Sequence, residues 1–113
     1  MSAVLERVAE FQSALSEFEP RRVEVLRKLI KALRGFVADP QDDAVFSALL
    51  KQSQSALELE DDELGDILKV SRTTVGRWAR GVTAPHAVMQ DSVFSSIAKI
   101  AESRLKQHTQ RTK

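Results

Sequence analysis

The sequence predicts an all-α protein. Apolar residues recur at spacings of three and four along most of the chain, and no stretch alternates apolar and polar residues as a half-buried strand does. Prolines and glycines fall between the periodic segments, and neither an internal repeat nor a low-complexity run interrupts the pattern.

The first segment places Val4, Val8, Phe11, Leu15 and Phe18 at spacings of four, three, four and three. That narrow seam belongs to a helix packed on another helix. Glu19 and Pro20 interrupt it, and Val23, Leu26, Leu29, Ile30 and Leu33 resume an apolar stripe until Gly35. Pro20 suits the first turn of a new helix, where its missing N–H costs nothing, and also a kink in one long helix; two helices are the preferred expectation.

In "ADPQDDAVFSALL", Asp39 is the expected cap, Pro40 the first helical residue, and Asp42 and Asp43 suit the positive end of the helix dipole. A helix is therefore expected over residues 40–56, with Val45 and Leu49 facing the core and Phe46 and Leu50 as further core candidates. "KQSQS" reads as a polar stretch near its end. The run "EDDE" opens a short helix, residues 61–68, with Leu64, Ile67 and Leu68 inward. Ser71 caps the next helix, residues 71–80, and Gly81 ends it, because glycine takes the left-handed conformation most cheaply. Pro85 starts a last helical stretch with Val93, Phe94, Ile97, Ile100, Ala101 and Leu105 on its apolar face, before a loose basic tail, 107–113.

A chain of 113 residues suits one domain with an appendage, too short for a catalytic domain plus a separate ligand domain. The expected division is a helical extension over 1–37 and a domain over 38–106. With no cysteine, a disulfide framework and a thiolate metal site are excluded, which fits a reducing cytoplasm. The opening "MSAVLERVAEFQ" carries Glu6 and Glu10 within its apolar pattern, so neither a signal peptide nor a membrane span is expected there. Net charge is only +1, yet its distribution is uneven: +2 over residues 1–37, −7 over 38–70 and +6 over 71–113. Local field rather than net charge governs an encounter, so a basic face able to attract a polyanion is expected in the C-terminal part.

Two short helices joined by a tight turn have the dimensions of a helix-turn-helix unit. In the second, "SRTTVGRWAR", one side carries Val75, Trp78 and Ala79, and the spacing makes Trp78 a core residue. The other side carries Thr73, Gly76, Arg77 and Arg80, flanked by Arg72 and Thr74. Guanidinium forks and hydroxyls are the groups that read guanine edges and grip phosphates, and Gly76 is expected to let the helix backbone approach a groove wall. The alternative for these arginines is a solvated basic face.

Residues 59–85, "LEDDELGDILKVSRTTVGRWARGVTAP", resemble the helix-turn-helix of the Cro and lambda-repressor-like transcriptional regulators, through Leu64, Gly65, Val70, Ser71, Val75, Trp78, Gly81 and Pro85. With flanking helices the resemblance spans roughly residues 44–105. It implies a lambda-repressor-like bundle and major-groove base contacts by Arg72, Thr73, Thr74 and Arg77, with Ser71, Arg80 and Thr83 at the DNA backbone. Two positions depart from the family pattern. Lys69 stands at the usual turn glycine, so either it adopts a left-handed conformation or the turn differs. Glu60 and Asp61 stand where Ser-Gln is usual; a carboxylate there repels phosphate, so either Asp61 is an N-cap aimed at its own backbone or the acidic cluster orients the protein by avoiding DNA on that side.

His86 and His108 are isolated and read as surface residues, with a phosphate contact by His86 as the minor alternative. The acidic run 58–66 lacks the ligand spacing of a calcium loop. No phosphate-cradling loop, nucleophile elbow or carboxylate dyad is evident, so no enzyme, cofactor or metal is expected. The expected protein is a cytoplasmic, nucleoid-associated regulator that binds double-stranded DNA. A homodimer is expected because one recognition helix spans only a few base pairs, with the contact supplied by the N-terminal helices or by the helix around residues 93–105. The competing class is a protein-interaction module, antiactivator or antitoxin-like, that uses the acidic patch and the N-terminal helices on another protein.

Overall fold

The computed structural model describes residues 21–111, with side chains through residue 109. The expectations for the seam from Val4 to Phe18, for Pro20 and for the last two residues lie outside the described residues. Among the described residues there are five α-helices and no strand: α1 (21–38), α2 (Asp43–Leu57), α3 (Asp61–Leu68), α4 (Arg72–Ala79) and α5 (Ala87–Arg111).

Helix α1 buries Leu26, Leu29, Leu33 and Phe36 at spacings of three, four and three, so it shares one core with the helices that follow. It runs past Gly35, its expected end, because Phe36 is drawn inward and meets the Phe94 ring edge-on at 4.8 Å.

The next helix begins three residues later than expected. Asp39 is not its cap: the Asp39 N–H donates to Gly35 O, which assigns that residue to the end of α1. Asp42 caps α2 instead, its Oδ1 accepting from the Val45 N–H at 3.0 Å. Phe46, Leu49, Leu50 and Leu57 are buried, whereas Val45, an expected core residue, is exposed. With Phe46 at the centre of the inner face, the residue before it is turned away by about 100°. Within "KQSQS", Ser53 is buried and satisfied by donating to Leu49 O.

Helix α3 has the expected bounds. Leu64 is buried and Leu68 half-buried, but Ile67 is exposed, contrary to expectation. The inner side of this helix centres on Leu64, Gly65 and Leu68, since Gly65 is pressed against the following turn, and that rotates Ile67 outward. The residue preceding it is Glu60, whose N–H donates to Glu63 Oε1, so Asp61 is not the N-cap.

Ser71 caps α4 as expected, accepting from the Thr74 N–H at 3.1 Å, and Gly81 follows the helix with φ +74°. Helix α5 starts at Ala87 rather than at Pro85, because the Pro85 and His86 carbonyls are taken by the side chain and the N–H of Gln90. The expected loose tail from residue 107 is helical through Arg111, with Thr109 Oγ1 donating back to Leu105 O and Lys106 O.

Four aromatic rings join four helices. Phe46 of α2 lies 4.9 Å from Phe94 of α5, 6.2 Å from Trp78 of α4 and 6.4 Å from Phe36 of α1. Such tilted and edge-on pairs add to the stabilisation from burial alone. Around this knot, Arg34 of α1 donates twice to Glu102 of α5, and Arg104 of α5 donates to Leu57 O at the end of α2.

Replacing Phe46 by Ala removes the ring that touches all three others and leaves a cavity with no exit. Phe46→Ala is expected to cost about 3–5 kcal/mol in equilibrium urea unfolding followed by circular dichroism.

Candidate nucleic-acid interface

Helix α4 is held by its inner face and, at its C-terminal end, by α2. Val75 and Trp78 are buried, with Ala79 half-buried beside them. At its C-terminal end, Ser47 of α2 donates its hydroxyl to Ala79 O at 3.0 Å, satisfying a carbonyl that has no helical partner. The opposite end of the two-helix unit is fixed from the same helix: Gln54 Nε2 donates to Asp61 Oδ1 at 2.8 Å and to Leu59 O. Ser47 and Gln54 are seven residues apart, two turns along one face of α2, so a single rigid helix sets the position of both α3 and α4. Gln90, also buried, ties the following loop to the start of α2 by donating to Asp43 Oδ1 and Pro85 O.

The turn between α3 and α4 is closed by the Val70 N–H donating to Gly65 O at 2.9 Å. Lys69 within it adopts φ 60°, ψ 42°, the left-handed conformation. Of the two expectations for this departure, the structure shows the strained one. Gly65 is required by the close approach: a Cβ there would stand 2.7 Å from Val70 O.

The outer face of α4 presents Thr73, Arg77 and Arg80, which fall within an arc of about 60° on a helical projection, with Arg72 at the N-terminal edge. Arg72, Thr73, Arg77, Arg80 and Thr83 are all exposed. The side chains of Arg72, Arg77 and Arg80 make no ion pair or hydrogen bond with another described residue. Thr74 is different. It is half-buried, and its Oγ1 lies 2.8 Å from Ser71 Oγ, so it serves the cap first.

Gly76 does not lie on the open face. It is buried, and a Cβ there would meet Asp61 Oδ2 at 3.1 Å and Arg80 Nη1 at 3.2 Å. The glycine admits the start of α3, not an outside groove wall. Asp61 therefore links all three helices: it accepts from Gln54 of α2, opens α3 and abuts Gly76 of α4. The "KQSQS" stretch concealed this role, because Ser and Gln near a helix end look like solvated residues; the seven-residue interval from Ser47 to Gln54 was the available signal.

His86 is exposed and His108 half-buried. Among the described residues, no group of His, Asp and Glu is placed to hold a metal ion, and no helix is long and apolar enough to cross a membrane. No family model, no curated protein and no solved structure matches the chain.

The turn makes two opposite stability predictions. Gly65→Ala forces backbone apart and is expected to lose about 1–3 kcal/mol. Lys69→Gly relieves the left-handed strain and is expected to gain about 1 kcal/mol, both read from urea midpoints.

Proposed function

We propose that the chain is a sequence-specific, DNA-binding transcriptional regulator that works as a dimer and lays α4 in the major groove. The observation that carries this reading is the outer arc of α4. The side chains of Arg72, Thr73 and Arg77 are exposed and make no hydrogen bond or ion pair with another described residue, on a helix whose inner face and C-terminal end are pinned. A solvated face needs no such fixation; groove reading does, because bidentate contacts to base edges demand a defined approach.

In this reading Arg72, Thr73 and Arg77 reach base edges, and Thr74 does so only at the expense of the cap. Ser71, Arg80 and Thr83 serve the phosphates. The resemblance of residues 59–85 to the lambda-repressor-like regulators supports the same assignment. The acidic run also finds a place in it. Asp61 is fixed by Gln54 against α4, so its charge stands beside Arg80. Approach from the α3 side is repelled, and approach over Arg72 and Arg77 is favoured. Two copies related by a twofold axis would present their α4 helices to half-sites roughly 34 Å apart, one turn of the duplex.

Selection from a randomised duplex library tests this. The expected product is an inverted repeat bound with strong salt dependence, measured by fluorescence anisotropy. Arg77→Ala is expected to weaken that site by roughly 1–3 kcal/mol and to relax the base preference at one position of each half-site. Absence of enrichment, with weak binding indifferent to Arg77, would overturn the proposal and point to a protein partner.

A further inference from the structure

The longest stretch of the chain without a lysine, arginine, aspartate or glutamate is residues 81–90, "GVTAPHAVMQ". It runs from the end of α4 through the connecting loop into the first turn of α5, and all of it but Pro85 and Gln90 is exposed. Val82, Val88 and Met89 are 65%, 85% and 37% exposed, half of the six large apolar side chains that stand open to water among the described residues. Such a cluster, on a chain whose residues are 29% charged, marks an interaction surface.

Beside these side chains, between α2 and the loop, lies an open hollow of about 470 Å³. Small residues make much of its wall, Ala44, Ala48, Gly81 and Ala84, and Asp43 and Arg80 are its charged members. Asp43 is already engaged, accepting from Gln90. Opposite charges bound the run: Arg80 precedes it at the hollow, and Asp91 follows it, three residues beyond Val88 and so on the same side of α5. Neither the Arg80 nor the Asp91 side chain forms an ion pair with another described residue.

We propose that this surface is the contact between two copies of the chain, related by a twofold axis that seats Val88 of each copy in the hollow of the other and sets its Asp91 beside the other's Arg80. Three observations select a second copy as the occupant. A projecting valine and a hollow walled by small residues share one surface, which is the self-complementary arrangement that a twofold contact requires. The charges at the two ends of the run have opposite signs, so two copies placed head to tail bring unlike charges together at both ends, whereas a parallel placement brings like charges together. The run offers no lysine or arginine to a phosphate, which disfavours DNA as its occupant, although it adjoins Arg80 and Thr83 at the end of α4. A guanidinium has five donors, so Arg80 holds the partner's carboxylate with donors left for a phosphate. The inference names the contact of the dimer proposed above and rests on that reading only for the dimer's role on DNA. Assembly is measured without a duplex, so the two fail separately.

Sedimentation equilibrium of the full chain, with no DNA present, tests it. The wild-type chain is expected to dimerise. Val88→Glu, at a position 85% exposed and so outside the core, is expected to raise the dimer dissociation constant roughly a hundredfold by forcing an unpaired carboxylate into each hollow. Asp91→Arg, which faces Arg80 with a like charge, is expected to raise it about tenfold, and Arg80→Asp combined with Asp91→Arg to restore it by returning unlike charges to both ends. A wild-type chain that stays monomeric up to its solubility limit would overturn the proposal. So would a dimer indifferent to Val88→Glu, or a loss in Asp91→Arg that the double exchange does not recover.

Discussion

The contact of Phe46 with Phe36, Trp78 and Phe94 is the constraint on which the remaining structure depends. It ties α1, α2, α4 and α5 to one point, so that α2 acts as the reference for everything around it. Trp78 enters this knot from the inner face of α4 and thereby fixes which way Thr73, Arg77 and Arg80 point. Polar contacts finish the placement. Ser47 and Gln54 cost little to order because they sit on a helix already held by Phe46, Leu50 and Leu57, and each satisfies a group at an end of the α3–α4 unit. Core packing sets the rotation of α4, the Ser47 hydrogen bond sets the place of its end along α2, and the Gln54 hydrogen bond does the same for the start of α3.

Charge is organised around the same unit. The seven-charge acidic excess of residues 38–70 and the basic excess of 71–113 meet at α3 and α4, within one turn of each other. Asp61 is where they touch. Its carboxylate is engaged by Gln54 and pressed toward Gly76, which keeps it at a fixed place beside the Arg80 end of the basic arc. In the proposed reading a polyanion meets a surface with one favourable side, and orientation comes from repulsion as much as from attraction.

Much of this was legible in the sequence, for identifiable reasons. The bounds of α3 and the cap of α4 were readable because an acidic first turn and a serine before a helix act locally through the dipole and the unpaired N–H groups. Trp78 was readable as core from its spacing to Val75. What escaped depends on contacts between segments. Asp39 and Asp42 are equivalent caps by type, and only the bond from Asp39 to Gly35 decides between them. Val45 and Ile67 are apolar at helical spacing and yet exposed, because the inner arcs of α2 and α3 are set by Phe46 and Gly65. Gly76 looked like an opening to the outside when it is the seat of Asp61. The Asp61 carboxylate has its explanation inside the protein, in Gln54.

The central claim is that the outer arc of α4, and no other surface, meets DNA. Its most direct test is to follow backbone amide resonances of the full chain while titrating in the selected duplex. The account predicts that the largest shifts run from Ser71 to Arg77, with further changes near Thr83, while the amides of α1 stay in place. Shifts centred on α1 or on the acidic start of α3, with α4 unmoved, would contradict it.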